Sequence, residues 1–374
     1  MKIFHDILSA EQRKRFLTPR QEWRSGRRLC ERKDRKNQIG ETAMVRMIDV
    51  AREAGVSVAT VSRVINGTGN VNDEMRERVR AAVRKMDFKP NQLARALKNI
   101  PTRLIGLIVP KLDNPFFYRV TSGIQSRIAS EGYELITACS DDDPAREREI
   151  IGALRAKQID GLIICPCAED NKDLLQNSNF PVVAFDRTYL KGMCDMVYVD
   201  KADTTYKAVS YLLENGHQNI AMVTGRKEII SNYERYNGYL RAYYEHNVMP
   251  NQANLFFGDF AKAYGKQVLK EIVDEHQDIT AVICGSAVIT EGVIAQAKAM
   301  RVRIPEDISL ISSGTIEYQD CIEPIITHIS EKRTAISNKT AELIMSRIKN
   351  PDQKLECCVL TSNLEIGNSV RRLG

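Results

Sequence analysis

MIDVAREAGVSVATVSRVINGTGNVNDEMRERVRAAVRKMDFKPNQLARALK, residues 47–98, carries three helix patterns followed by a linker. The first pattern runs Ile48–Ala54 and stops at Gly55, a residue type that passes through φ > 0 without a side-chain clash. Ser57 stands where an N-cap hydroxyl would meet the orphan amides of a second helix, Val58–Ile65, which Asn66-Gly67 ends. Met75, Val79, Ala82, Val83 and Met86 then form one apolar stripe at helical spacing, backed by Arg76, Arg78, Arg80, Arg84 and Lys85. That third helix is expected to close a miniature core with Val50, Ala51, Val61 and Ile65. The spacing is that of a helix-turn-helix.

In a helix-turn-helix the second helix enters the major groove and presents its N-terminal residues to base edges, which makes Val58 and Ala59 the expected readers. Both are small and apolar, able to touch a thymine methyl but not to hydrogen-bond a base. Ser57, Thr60, Ser62, Arg63 and Asn66 therefore have to supply the polar contacts to bases or phosphates. The plain alternative is a three-helix bundle with a solvated basic face. Beyond it, Phe88-Lys89-Pro90 cannot continue a helix, and Asn91–Lys98 is a two-turn helical candidate too short to be well populated alone. Ala94 and Leu97 share a face of it, and leucine is a side chain that wedges between minor-groove base steps. A flexible linker is the alternative for this stretch.

Ile48-Asp49-Val50-Ala51, the run Gly55-Val56-Ser57-Val58-Ala59-Thr60-Val61-Ser62-Arg63-Val64-Ile65-Asn66 and Pro90-Asn91-Gln92-Leu93-Ala94-Arg95-Ala96-Leu97 closely resemble the lactose/galactose-repressor (LacI/GalR) family of bacterial transcription regulators. The resemblance covers everything after about Met47. It implies a headpiece, residues 47–90, whose second helix reads the operator. It also implies a hinge helix and linker, residues 91–103, in which Asn91, Ala94 and Leu97 meet DNA and Leu97 pries open the minor groove at the centre of a two-fold site.

Charge is unevenly placed along the 374 residues: residues 1–46 carry a net +7, residues 47–103 a net +5 and the remainder a net −6. A basic end on an acidic body lets only that end meet phosphate. Residues 1–46 have no periodic apolar pattern, many arginines and the only tryptophan, Trp23. They are read as a basic extension, expected to be disordered or to result from a start codon placed too far upstream. A phosphate-binding arm is the alternative. No stretch is an export signal or approaches the roughly 18 apolar residues that span a bilayer, so a cytoplasmic protein that contacts no membrane is expected. The nine cysteines form no C-x-x-C pairs and read as buried, reduced thiols; Cys165-Pro166-Cys167 alone does not make a metal site.

After Pro101 short apolar runs alternate with amphipathic stretches. Strands are expected at Leu104–Val109, Tyr133–Ala138, Gly161–Cys165, Val182–Phe185, Ile220–Val223, Ala281–Cys284 and Ile308–Ile311. Helices are expected at Val120–Ser130, Glu147–Ala156, Thr204–Asn215, Tyr233–His246, Ala263–Asp274 and Thr290–Met300 among others. Continuous apolar strands between helices mean parallel sheets covered on both faces. The series divides near Asp200–Asp203 into two α/β halves. The expected fold is therefore an α/β chain: a three-helix headpiece and hinge, then a two-lobed, periplasmic-binding-protein-like core over residues 104–374. Lobe 1 is expected at about 104–200 and 330–352, and lobe 2 at about 201–329 and 353–374.

The resemblance extends to this core through Asn114-Pro115-Phe116-Phe117, Phe185-Asp186-Arg187, Gly216-His217, Arg235 with Gly238-Tyr239, Gly258-Asp259-Phe260 and Ile304-Pro305-Glu306-Asp307-Ile308-Ser309. It implies a cleft lined by Phe116, Asp186, Arg235 and Phe260, with Arg235 as a forked donor, Asp186 as an acceptor and Phe260 as a stacking wall. In two places the chain departs from the family's pattern. Ser286-Ala287 stands where Asn-Asp is usual, and Ser312-Ser313-Gly314 where the family has an aromatic residue and a carboxylate. With Gly314 in the carboxylate's place, an anionic effector such as a sugar phosphate or sugar acid is expected in preference to a neutral hexose; a core that has lost effector binding is the alternative. There is no phosphate loop, zinc-protease motif or nucleophile elbow, so neither an enzyme nor a cofactor or metal site is expected. A periplasmic solute-binding protein would share the cleft but need an export signal and no headpiece. The reading is a homodimeric repressor of a pseudo-palindromic operator, its affinity set by a small molecule between the lobes.

Overall fold

The computed structural model describes residues 45–66, 69–88 and 101–374. The chain divides into two units, one ending at Lys89 and one beginning at Pro90, and each is described by itself. Residues 1–44, Asn91, Ala94 and Leu97 lie outside the described residues, so the leader and the expected hinge helix do too.

The head holds α1 (Met47–Ala54), α2 (Val58–Asn66) and α3 (Asp73–Lys85). Gly55 ends α1 at φ 61°, the left-handed conformation for which glycine was expected there. Ser57 caps α2, its Oγ accepting the Thr60 amide at 3.1 Å. The core is Val50, Ala51, Ala54, Val61, Val79, Ala82 and Phe88. Two expected core members differ: Ile65 is only partly buried and Met75 is 42% exposed. Met75 lies in the first turn of α3, before the helix reaches α1 and α2, and Phe88 closes the bottom of the core after α3 has ended.

The second unit contains two six-stranded sheets. In chain order it runs β1 (Leu104–Val109), α4 (Pro115–Ala129), β2 (Glu134–Cys139), α5 (Pro144–Ala156), β3 (Gly161–Ile164), α6 (Lys172–Gln176), β4 (Val182–Phe185), β5 (Asp195–Val199), α7 (Lys201–Glu214), β6 (Ile220–Gly225), α8 (Ile230–Glu245), β7 (Leu255–Gly258), α9 (Lys262–Glu275), β8 (Ala281–Cys284), α10 (Ala287–Met300), β9 (Ser309–Ser313), β10 (Thr327–Ile329), α11 (Arg333–Lys349), β11 (Cys357–Leu360) and β12 (Leu364–Glu365). The first sheet has the order β11-β5-β4-β3-β1-β2 and the second β12-β10-β9-β8-β6-β7. All pairings are parallel except β10 with β12. Strands such as β1, β3, β6 and β8 are buried at every residue, because helices cover both faces of each sheet.

Five helices start about one turn before their apolar periodicity does, and a sixth, at Lys262, starts one residue before. Asn114, Asp143, Asp200 and Ser286 each accept a backbone amide of the first turn, and Pro115 and Pro144 sit just inside two of the helices. Cap and proline thus set the boundary ahead of the first buried side chain. The expected lobe division needs one correction. Residues 357–360 pair with β5 in the first sheet, and only Leu364–Glu365 reaches the second, so the chain crosses back between residues 360 and 364 and not at 353. The strands at 195–199, 255–258 and 327–329 were not expected; each is short, and the first opens on a buried aspartate. The cysteine expectation holds for Cys165, Cys167 and Cys284, which are buried, but Cys321 and Cys357 are exposed.

Candidate functional site

On the head, Ser57, Val58, Ala59 and Arg63 are exposed along one side of α2, with Val58 at 41%. Thr60 and Ser62 are half-buried on the same helix. The side chain of Asn66 lies outside the described residues. The Ser57 hydroxyl is shared with Thr60 Oγ1 at 2.9 Å as well as with the Thr60 amide, so its first role is to hold the helix start. The basic residues of α3 are largely engaged within the head. Arg78 Nη2 donates to Ala54 O at 2.6 Å and Gly55 O at 3.1 Å, Arg76 pairs with Asp73, Arg80 with Glu77 and Lys85 with Glu53. Arg78 thereby satisfies the terminal carbonyls of α1 and locks the turn. α3 buries only Val79 and Ala82 and remains largely exposed, with its Arg76, Arg78, Arg80 and Lys85 engaged within the head, whereas α2 presents Val58, Ala59 and Arg63 on one exposed side.

In the second unit a cavity of about 220 Å³ lies between the two sheets. It is bounded by the segments that follow the carboxyl ends of β1, β2, β4, β6, β7, β8 and β9, which is where parallel sheets bind ligands at the reversal of strand order. Phe116, Asp186, Arg235, Phe260 and Ser286 all line it. Phe116 is 7% exposed and packs edge-on to Phe117, so it offers one edge to the cavity while belonging to the first lobe's core. Phe260 has its place because Gly225 carries no side chain; a Cβ there would run into the ring. The hydroxyl of Ser286 caps α10 through the Ile289 amide at 3.3 Å.

Asp186 takes φ 66° and pairs through Oδ1 with Lys201 Nζ at 2.8 Å. Burial raises its carboxyl, but Lys201, with Arg187 and Arg235 behind it, more than offsets this and leaves it below the usual carboxylate range. Arg187 Nη1 meets Asp142 Oδ1 at 2.5 Å. Arg235 differs from both. Its Nη1 donates to Ser231 O at 3.2 Å and Asn232 Oδ1 at 3.1 Å, and among the described residues no carboxylate stands within ion-pair distance of it. Burial lowers its pKa, with Asp186 and Glu234 acting the other way.

Gly314 does not line the cavity. It is buried at φ 125°, and a Cβ on it would sit 2.6 Å from Glu331 Oε1. The carboxylate that the sequence lacks at residue 314 is thus supplied from residue 331, on the segment between β10 and α11. Glu331 lines the cavity, pairs with Arg333 Nε at 3.1 Å and is pushed up to about 7 by burial, against the opposing pull of Arg333 and Lys201. Sequence periodicity gives no sign of this substitution, because the two positions meet only through the sheet. Among the described residues no cluster of His, Cys, Asp or Glu could hold a metal ion, and no helix is long and apolar enough to cross a membrane.

A helix-turn-helix head followed by a two-lobed core with a polar cleft at its switch points defines a DNA-binding regulator controlled by a small molecule. Comparison with known proteins gives the same class. Residues 46–91 match the model of bacterial regulatory proteins of the lacI family, and residues 102–357 that of periplasmic binding proteins and the sugar-binding domain of the LacI family. The chain is 31% identical over 317 residues to the HTH-type transcriptional repressor PurR of Aliivibrio fischeri, covering 83% of this chain and 94% of that one. It is 30% identical over 334 residues to the repressor of the same name from Vibrio vulnificus, covering 88% and 100%. Among solved structures, a LacI-family transcriptional regulator from Silicibacter pomeroyi superposes with a TM-score of 0.78 at 23% identity, covering 88% of this chain and 100% of that one. The lac repressor dimer bound to operator and an anti-inducer superposes at 0.77, also at 23% identity, covering 87% and 99%.

The chain belongs to the LacI family. It is a DNA-binding, effector-regulated transcriptional repressor of that family, and its relatives are repressors and not enzymes.

Proposed function

We propose that the protein acts as a homodimer in the bacterial cytoplasm, reading a pseudo-palindromic operator with α2 of each head. Val58 and Ala59 would face base edges. Ser57, Thr60, Ser62, Arg63 and Asn66 would supply polar contacts, and Asn91, Ala94 and Leu97 of the linker would engage the minor groove. The exposure of Val58, Ala59 and Arg63 on one side of α2 supports this assignment. Arg63→Ala is expected to weaken specific operator binding by about 1–3 kcal/mol while leaving the head folded. Gel-shift titration against operator and scrambled DNA checks it: equal losses on both would make Arg63 a phosphate contact only.

For the cleft we propose an effector that brings an acceptor or anionic edge to Arg235, hydrogen-bond donors to Glu331 and a flat face to Phe260, with Phe116, Asp186 and Ser286 completing the walls. The observation that carries this is a half-buried guanidinium without an ion-pair partner among the described residues, in the same cavity as a half-buried carboxylate. A purine-type base, the class the repressor relatives suggest, has both edges and a flat face. A sugar phosphate or sugar acid is the second reading, favoured by Arg235; the Glu331 carboxylate in the same cavity favours the base. A thermal-shift screen of purine bases, sugar phosphates, sugar acids and neutral sugars separates them, since a ligand bound only by the folded state raises Tm with concentration. Arg235→Ala is expected to abolish the shift in either case. Glu331→Gln should abolish it for a base and spare it for an anion. A response confined to neutral sugars, or one that survives Arg235→Ala, would sink the assignment.

A further inference from the structure

Among the described residues several side chains bridge the two lobes of the second unit, and one carboxylate carries three of these contacts. Glu317, on the segment after β9 of the second lobe, accepts Arg119 Nη2 at 2.7 Å and Tyr118 Oη at 3.3 Å, both from α4 of the first lobe. It also accepts Arg333 Nη1 at 2.6 Å, from the first turn of α11. That helix packs against α4 and against β3, β4 and β5, so Arg333 moves with the first lobe. The Nε of the same guanidinium lies 3.1 Å from Glu331, the carboxylate on the cavity wall. Arg333 and Glu317 are each less than one-fifth exposed, so water screens this pair far less than the rim pairs around it.

A planar guanidinium that pairs with two carboxylates divides its charge between them, and strengthening one ion pair weakens the other. We propose that Arg333 is a shared cation that couples the ligand cavity to lobe closure. It divides its charge between the cavity carboxylate Glu331 and the interlobe carboxylate Glu317. A ligand that donates hydrogen bonds to Glu331 reduces that side chain's hold on Arg333, the Arg333–Glu317 bond gains what Glu331 gives up, and the lobes close more tightly. Closure in turn presents Glu331 better to the ligand, so the two equilibria favour each other to the same extent. Arg333 is a positioning residue in this scheme and does not itself contact the ligand. Only the last step, from closure to operator affinity, rests on the repressor reading.

The test uses the full-length protein with neither DNA nor effector, so it fails or succeeds apart from the ligand assignment. The reporter is hydrogen exchange at the Ile230 amide, whose N–H donates across the cleft to Tyr189 Oη at 2.9 Å, away from the altered side chains. Glu317→Gln should speed exchange there by roughly three- to tenfold, while core amides of β1 stay protected. Glu331→Gln should shift it in the opposite direction, because Arg333 is then given wholly to Glu317. Glu317→Asp should restore part of the protection. If Glu317→Gln lowers protection throughout the core, Arg119→Gln carries the same prediction from a side chain that is half exposed. Unchanged exchange at Ile230 in the Glu317 or Arg119 variant, or shifts of the same sign in the Glu317→Gln and Glu331→Gln variants, would overturn the proposal.

Discussion

Asp195→Asn should cost about 3–5 kcal/mol of stability, because it leaves a buried guanidinium without its charge partner. Asp195 is fully buried at the start of β5, and its two carboxylate oxygens take Arg347 Nε at 2.8 Å and Nη2 at 2.7 Å. The same carboxylate accepts the Glu356 amide at 2.8 Å, and Arg347 also donates to Pro351 O at 3.0 Å, to Lys354 O at 3.2 Å and to Gln353 O. One forked ion pair therefore ties α11, the turn after it and β11 to the edge of the first sheet. The chain has no longer apolar run there to do this: β11 is four residues long and half exposed. A drop in the thermal midpoint on the order of 10 °C is expected, and the double variant Asp195→Leu with Arg347→Met should recover only part of it, since the apolar pair carries no desolvated charge but leaves the Glu356 amide and the carbonyls of Pro351, Gln353 and Lys354 without their partner. A loss below about 1 kcal/mol in the single variant would mean that water reaches the pair.

Glu331→Gln should change how stability depends on pH more than any other substitution in the cleft. Burial pushes the Glu331 carboxyl from its ordinary 4.5 up to about 7 in the folded chain. The folded state then binds this proton more tightly than the unfolded state does. The contribution is fully present below about pH 4.5 and is lost as pH rises through about 7. At neutral pH the ionised side chain therefore leaves the protein less stable by up to about 3 kcal/mol than a neutral isostere would. Gln removes that proton linkage. Denaturant titrations from pH 4.5 to 8 should show wild-type stability falling relative to Glu331→Gln as pH rises, with the gap widest above pH 7. Parallel curves would show Glu331 ionised throughout and Arg333 compensating its burial in full.

The head is legible in the chain because its signals are local. Turn glycine, cap serine and apolar stripe all act within a few residues of one another, and α1, α2 and α3 lie where those signals put them to within one or two residues. Long buried strands such as β1 and β6 are legible for the same reason, as unbroken apolar runs between helices. Short edge strands are not. The run Cys357–Leu360 has no pattern that assigns it to one sheet, and its place beside β5 is set by an ion pair reaching back 152 residues from Arg347 to Asp195. Met75 shows the limit of periodicity from the other side: its spacing fits the stripe, but the helix has not yet reached its neighbours at that turn.

Cleft chemistry divides in the same way. That Phe116, Asp186, Arg235 and Phe260 line one cavity is what the family resemblance implies, and the folded chain brings all four to it, Arg235 from the second turn of α8 and the others from segments after strand ends. The charge of that cavity does not follow from the resemblance. Gly314 reads as a missing carboxylate, and three-dimensional packing returns one from Glu331, seventeen residues later, through the crossover between β10 and α11. Local order, from caps, turns and apolar period, settles which elements form and in what sequence. Which side chains share a cavity, which cations are left over and which carboxylates change partners depends on contacts between residues far apart in the chain, and only the folded arrangement of the two lobes decides them.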